Sequence, residues 1–445
     1  MFYLNRILLD KNIIQKAKHP VAVFKQRIKM QRGRFGHRPR NDNRYYDGIY
    51  PFIQTGNVVK ASEGNEKIEY TQSLNELGLS TSRLFNEKVL VITIAANIGY
   101  TAVLDYAACF PDSLVALTPK SDDLILEYLN IYIRLIRQYI ENLAPQAAQK
   151  NINLKQLGKL PLIIPDKDVQ QEIVSIMESA YSKKSQLDNE MQVLLEGIND
   201  YLLEELGIAI PLETVPSRKS FYIRSSNILG LRFDPYYHNP VFSRNLECIK
   251  NGKYPVIALK DIVKEGLIKG ISPNESQKEG ECKVIQISNI NFDGTIQIEK
   301  SITSKQIYST KQKLHQGDVL IVITDATIGK IGYWDYDGEY YLGGDIVKFN
   351  TGNSNLNEIY AALLRTPPYQ LQMKRCITGA TNGHLALNDI EQVLLPNVVD
   401  KKLQETIAVK LASDRKKVQL LKQETRECAR LAKAKVTKVL LGDKL

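Results

Sequence analysis

The chain repeats itself at long range. FIQTGNV at 52–58 returns as VIQISNI at 284–290, VLVITIAANIG at 89–99 as VLIVITDATIG at 319–329, and LIIPDKDVQQEI at 162–173 as VLLPNVVDKKLQETI at 393–407. Matched positions keep nearly one offset: 232 from Asn57 to Asn289, 230 from Gly99 to Gly329, 231 from Pro165 to Pro396 and 233 from Gln171 to Gln404. Three blocks in the same order, with offsets that drift by only a few residues, mark two copies of a whole domain; a solenoid would repeat every roughly 20–50 residues. A chain of 445 residues also exceeds what one core ordinarily supports. Two similar domains predict two similar ligand sites in one molecule.

Each copy has a strand-rich part and a helical part. EKVLVITIA (87–95) and TAVLDY (101–106) read as a hairpin turning at Asn97–Gly99, and GDVLIVIT (317–324) with KIGYWDY (330–336) repeats it. LEYLNIYIRLIRQYI (126–140) and NEIYAALLRTP (357–367) carry apolar residues at helical spacing. After Pro165 and Asp166 the chain runs to Gly207 without proline. Ile173, Ile176, Ala180, Leu187, Leu194, Ile198 and Tyr201 fall on a seam of three- and four-residue steps, interrupted by Lys183. Ile407, Leu411, Val418, Leu421, Cys428 and Ala432 repeat the seam, interrupted by Asp414 and Thr425. A period near 3.5 marks a coiled-coil-like packing face, and roughly 39 residues at about 1.5 Å each make a rod of about 58 Å. GIAIPLETVPSRKSFYIRSS (207–226), with two prolines and no period, reads as a linker.

The expected fold is therefore α+β: two similar strand-rich domains, each followed by a long helix, the two helices pairing with each other. The expected division is 1–165 first domain, 166–208 long helix, 209–228 linker, 229–398 second domain and 399–445 long helix.

Enzyme signatures do not emerge. The five histidines and five cysteines are dispersed, with no HExxH or CxxC pattern, and neither GxxxxGK[ST] nor GxSxG occurs. An adenine N6-methyltransferase would carry [DNS]PP[YFW] after a hydrophobic strand. Asp234–Pro235–Tyr236–Tyr237 lacks the second proline, and Thr366–Pro367–Pro368–Tyr369 has the wrong first residue. No stretch reaches the length of a membrane span, and the N-terminal segment is broken too early by Asn5, Arg6 and Asp10 to be a signal peptide, so the cytoplasm is expected.

Nucleic-acid features are richer. The net charge is +10, which favours a polyanionic partner through counterion release. Ten Lys and Arg residues lie between Lys16 and Arg44 against one acid, Asp42. Arginine forks can read guanine or clamp phosphate, and amides can read adenine. This singles out Arg32, Arg34, Arg38, Arg40, Asn41, Asn43, Arg44 and Tyr45 as DNA-binding candidates, with a solvated basic loop as the alternative. A second candidate is the loop before the closing strand, APQAAQKNINLKQL (144–157) and TGATNGHLALNDI (378–390), offering Gln149, Lys150, Asn151, Thr381, Asn382 and His384; the alternative is a polar turn. Lys269 and Asn274 complete the set.

These blocks together resemble the specificity subunit of type I restriction-modification systems. The resemblance rests on YPFIQTGNV (50–58), VLVITIAANIG, NINLKQLGKLPLIIPDKDVQQEIV (151–174), LRFDPYYHNP (231–240), VIQISNI, VLIVITDATIG and LNDIEQVLLPNVVDKKLQETI (387–407), and it covers nearly the whole chain. One departure is that Pro396 is followed by Asn397 with no further proline. The resemblance implies that the domains are target-recognition domains, each reading one half of a bipartite double-stranded DNA target. It implies that the helices form an antiparallel coiled coil that sets the spacer. It also implies partners: methyltransferase subunits using S-adenosylmethionine, and a translocating nuclease subunit using ATP and Mg. This chain would then hold no cofactor and no catalytic centre. Leu195, Leu202 and Leu203 on the first helix, with Leu420, Val436 and Leu440 on the second, are candidate docking residues for the methyltransferase; burial against the chain's own domains is the alternative. A self-contained or degenerate adenine methyltransferase, and a scaffold that binds only proteins, are the competing function classes.

Overall fold

The computed structural model describes residues 16–36, 42–64, 66–144, 151–210, 221–223, 232–273, 278–379 and 383–442. The chain divides into two compact units. One comprises Met1–Gln186 with Glu424–Leu445, the other Leu187–Gln423. Each unit thus takes half of both long helices, Lys167–Glu205 and Lys401–Leu441.

In the first unit the strands are β1 (Val21–Val23), β2 (Ile28–Arg32), β3 (Tyr46–Phe52), β4 (Gln72–Leu74), β5 (Leu84–Phe85), β6 (Val89–Thr93), β7 (Thr101–Leu104), β8 (Ala108–Cys109), β9 (Leu114–Pro119) and β10 (Pro161–Ile163). They form sheets of order β2-β9-β6-β7, β4-β3-β8-β5 and β1-β10. In the second unit they are β11 (Val256–Ala258), β12 (Ile268–Lys269), β13 (Lys278–Ile285), β14 (Ile302–Ser304), β15 (Val319–Val322), β16 (Ile331–Tyr333), β17 (Tyr340–Leu342), β18 (Ile346–Phe349) and β19 (Leu394–Pro396). Their sheets run β12-β18-β15-β16, β14-β13-β17 and β11-β19. The topologies correspond, except that among the described residues β5 has no counterpart strand in the second unit, and each unit has a parallel strand pairing, β3 with β8 and β13 with β17.

The hairpins expected at 87–106 and 317–336 are β6–β7 and β15–β16. Val89–Ile92 of β6 and all of β15 are apolar because each strand is covered on both faces. Leu90 and Ile92 face one core and Val89 and Val91 another; Val319 and Ile321 face one, Leu320 and Val322 another. Gly99 and Gly329 close the turns at φ +82° and +89°, a conformation that favours glycine. The helix expected over 126–140 is two, Leu126–Leu135 and Arg137–Asn142, meeting at the fully buried Ile136. The second copy breaks at the same place, where Pro367 starts a new helix, as a residue without an N–H does best.

The repeated motifs hold equivalent joints. The Gln54 amide donates to Asn57 Oδ1 at 2.8 Å, and the Gln286 amide to Asn289 Oδ1 at 2.7 Å. Tyr128 donates to the Ile163 carbonyl at 2.7 Å and Tyr360 to that of Pro396 at 3.1 Å, tying helix to closing strand. At the root of each long helix a buried glutamine secures the entry. Gln170 donates to the carbonyls of Asp123 and Pro165 and accepts from the Ile125 amide. Gln404 donates to the Val398 carbonyl and accepts from Asn353. The partner of Gln404 is therefore Gln170 and not Gln171, which is exposed.

The long helices run antiparallel within each unit. In the first, Ile173, Val174 and Met177 share a core with Ala432, Val436, Val439 and Leu440, and the Cys428 thiol approaches the Ala180 carbonyl at 3.7 Å. In the second, Ile198, Leu202 and Leu203 share a core with Ile407 and Leu411, and the Lys410 ammonium lies 4.9 Å from the Tyr201 ring. The start of one helix meets the end of the other in both places. Most of the linker expected at 209–228 lies outside the described residues.

Candidate nucleic-acid interface

The basic segment of the first unit is mounted on β2. Beyond it the alternation continues: Gly33 and Phe35 are buried, while Arg32 and Arg34 are exposed. Phe35 is the anchor. Its ring lies 5.1 Å from Phe52, 5.9 Å from Tyr46 and 6.4 Å from Tyr45. The Arg34 amide donates to the Phe110 carbonyl at 2.9 Å, and the Ser82 hydroxyl donates to the Arg34 carbonyl at 2.7 Å. The backbone is fixed and the Arg34 guanidinium stands in solvent. Arg32 donates through Nε to the Asp112 carbonyl. Arg83, which sequence reasoning passed over, donates to the Arg32 carbonyl at 2.7 Å; no local sequence signal placed it beside β2.

Asn43, Arg44 and Tyr45 form one turn of 3-10 helix, capped by Asp42. Arg44 grips the same carboxylate through Nε at 3.1 Å and Nη2 at 2.7 Å. That hydrogen bond and charge hold the Arg44 guanidinium above its ordinary pKa. Arg44 is 75% exposed, so the fork is oriented yet accessible. Tyr45 is partly buried in the aromatic cluster and serves the turn's packing. Tyr50 donates to Glu76 at 2.7 Å, which raises its phenol pKa. A cavity of about 370 Å³ opens among Asn43, Tyr46, Asp47, Gln54, Gln72 and Pro111, a lining of amide and aromatic groups suited to base edges and faces.

In the second unit Lys269 ends β12 and pairs with Asp345 at 4.0 Å. A cavity of about 320 Å³ is lined by Lys264, Gly266, Thr310, Lys311 and Lys348 among others. Lys348 is buried against Asp318 at 2.8 Å and belongs to the domain's frame. The two closing loops behave alike: Asn151 bridges to Ala95 and His384 to Thr324, each returning to the end of a hairpin strand. Asn151 is exposed and His384 half-buried. The candidates Arg38, Arg40, Asn41, Gln149, Lys150, Asn274, Thr381 and Asn382 lie outside the described residues.

Four of the six docking candidates are corrected by the structure. Leu202 and Leu203 are 0% and 5% exposed in the second unit's core, and Val436 and Leu440 are 0% and 1% exposed in the first unit's core. They are consumed by the chain's own packing. Leu195 is half-buried, and Leu420 is 58% exposed. Val193, Val409 and Leu431 are further exposed apolar side chains on the long helices.

Both near matches to a methyltransferase tetrad are structural. Asp234 accepts from the Tyr237 amide at 2.9 Å and pairs with Arg232 at 2.7 Å. Pro367 and Pro368 start a helix, and Tyr369 is fully buried. Among the described residues no group of His, Cys, Asp or Glu could hold a metal ion, and no helix is long and apolar enough to cross a membrane.

Exposed arginine and amide groups on a rigid sheet platform, in a fold that occurs twice in one chain, are the equipment of a nucleic-acid recognition protein. The sequence matches the type I restriction modification DNA specificity domain over residues 34–196 and again over 238–428. The chain belongs to that family, carries two copies of its domain, and is a DNA specificity protein whose part is recognition and not catalysis. Among solved structures, the S subunit of a type-I restriction-modification system from M. genitalium is similar at 14% identity, over 96% of this chain and 97% of that one, with a TM-score of 0.47. A structure described for complex assembly and conformational transition of the type I R-M system aligns at 13% identity over 96% and 100%, TM-score 0.47. The HsdS subunit from Thermoanaerobacter tengcongensis aligns at 14% identity over 96% and 97%, TM-score 0.36.

Proposed function

We propose that each unit reads one half of a bipartite duplex DNA target, and that the two long helices fix the unspecified spacer and carry the methyltransferase subunits. The observation behind this is the duplication: the four-stranded sheets β2-β9-β6-β7 and β12-β18-β15-β16 have matching order, and each long helix contributes residues to both units. Adenine methylation is assigned to the partner methyltransferase with S-adenosylmethionine, and cleavage to a translocating nuclease partner with ATP and Mg. This chain is assigned no cofactor, and the complex is assigned to the cytoplasm.

The test is methylome sequencing of a host that expresses the chain with its methyltransferase. One methylated motif of two short specific parts around a fixed gap is expected. A continuous motif, or methyl transfer by the purified chain alone, would refute the reading. Docking on the helices is tested separately. Leu420→Glu, at an exposed apolar position, is expected to abolish co-purification with the methyltransferase while circular dichroism is unchanged; retained co-purification removes Leu420 from the docking face.

A further inference from the structure

Both units break one strand pairing at the same place. In β3 and β4, Tyr46 and Tyr50 both take Leu74 as partner, so residues 47–49 are pushed out of the ladder. In β13 and β14, Lys278 and Cys282 both take Ser304, and residues 279–281 are pushed out. The offset is 232 from Tyr46 to Lys278 and again from Tyr50 to Cys282. Each bulge has glycine at its centre. A Cβ at Gly48 would run into the backbone of Leu74 and Asn75, and one at Gly280 into the backbone of Ser304 and Lys305. The glycine therefore lies flat on the neighbouring strand and pins the bulge. Asp47 takes φ +60° to make the turn, a conformation Asp tolerates better than most residues.

A pinned bulge re-aims the side chain beside it. Here it aims residue 49 and residue 281 into solvent: Ile49 is 81% exposed and Glu281 is exposed. Ile49 buries almost nothing, so its position is not explained by the core. In the sequence it follows closely on the Asn43–Tyr45 turn and on Asp47, and Asn43, Tyr46 and Asp47 line the cavity. The backbone device is preserved between the copies, while the residue it presents changes from aliphatic to acidic. That combination suits two readers of one design that read different bases.

On the reading of this chain as a double DNA reader, we infer that Ile49 and Glu281 are base-reading residues, one in each half-site: Ile49 against the 5-methyl group of a thymine, and Glu281 accepting from the exocyclic amino group of a cytosine. The major groove, about 12 Å wide, admits a two-stranded β-ribbon and displays both groups. An apolar side chain matches the thymine methyl, and a carboxylate matches the cytosine N4 donor.

The experiment uses the complete complex with its methyltransferase and the methylated motif of the unaltered chain. Duplexes are made in which each thymine of the motif is replaced in turn by uracil, which lacks only the methyl group. One replacement, in one half-site, is expected to weaken binding by about fivefold or more, and that sensitivity is expected to vanish in Ile49→Ala. Glu281→Gln is expected to shift one position of the other half from cytosine toward adenine, which glutamine reads. A motif in which no uracil matters, an Ile49→Ala complex that keeps the sensitivity, or a Glu281→Gln complex with an unchanged motif overturns the inference. The uracil series needs no altered protein, so a variant that fails to assemble cannot shield the idea. Effects of both tips within the same half-site would support base reading while overturning the assignment of one half-site to each unit. No preference for the motif by the unaltered complex would instead sink the DNA-recognition reading itself.

Discussion

Arg415 shows how one residue fastens recognition to framework. It lies on the second long helix and reaches Glu358 at 3.0 Å and Asp335 at 2.9 Å, with its guanidinium 4.9 Å from the Tyr333 ring. Arg415 and Glu358 are almost fully buried. Removing one partner leaves an uncompensated buried charge, which costs about 3–5 kcal/mol. Arg415→Met is expected to destabilise the protein by about that much in a urea titration, and the double variant Arg415→Met with Glu358→Gln is expected to recover part of the loss. Arg430→Ala, which breaks only the exposed pair with Glu427, should leave the midpoint unchanged. A neighbouring tie titrates. Burial pushes the Asp293 carboxyl up, but Lys422 and Thr295 pull it further down, and it sits below the ordinary carboxylate range. A group whose folded pKa is depressed contributes stability above its unfolded pKa, about 3.9 for Asp, and loses it as pH falls through the folded value. Lys422→Met is therefore expected to lower stability at pH 7 and to flatten the loss between about pH 4 and lower pH. A variant whose acid limb matches the parent's would exclude this pair as a contributor.

At the level of elements, what could be read depended on whether a pattern names its own partner. The hairpins at β6–β7 and β15–β16 were legible because a β-branched run followed by a glycine turn specifies itself. The long helices were legible from their seams. Their partners were not: periodicity shows that Leu202 and Val436 lie on an apolar face, and only the tertiary packing shows that the face belongs to the chain's own cores. The bulges at Ile49 and Glu281 escaped because their sequences, Asp-Gly-Ile and Glu-Gly-Glu, look like ordinary turn or strand residues. The antiparallel pairing refines the ruler test. Ala180 meets Cys428 and Tyr201 meets Lys410, so a residue added to one helix needs a counterpart in the other. Seven residues inserted after Gln186 and seven after Gln423 keep both seams and add about 10.5 Å, close to three base pairs at roughly 3.4 Å each. The methylated motif is expected to keep its two halves and widen its gap by about three. Insertion in one helix alone is expected to abolish methylation. An active paired variant with an unchanged gap would end the ruler proposal.

Across the whole molecule, residues that build the fold recur and residues that face solvent do not. Tyr128 and Tyr360, Gln170 and Gln404, Asn57 and Asn289 make the same bonds in both copies. At the offset of 232, Arg32 is matched by Lys264, but Arg34 is matched by Gly266 and Ile49 by Glu281. A framework kept twice with different surfaces lets each unit hold its own specificity, and it locates where units can be exchanged. Because each long helix contributes to both cores, a cut that carries a helix with its domain would disturb the other unit. Replacing residues 16–165 with the matching segment of a relative leaves both helices intact, provided the donor preserves the apolar contacts to Ile173, Val174 and Met177. Methylome sequencing of that chimera should show one half of the motif replaced, the other half retained and the gap unchanged. Change in both halves would mean that recognition is not divided between the units. Change in the gap would mean that the spacing is set within the domain and not along the helices.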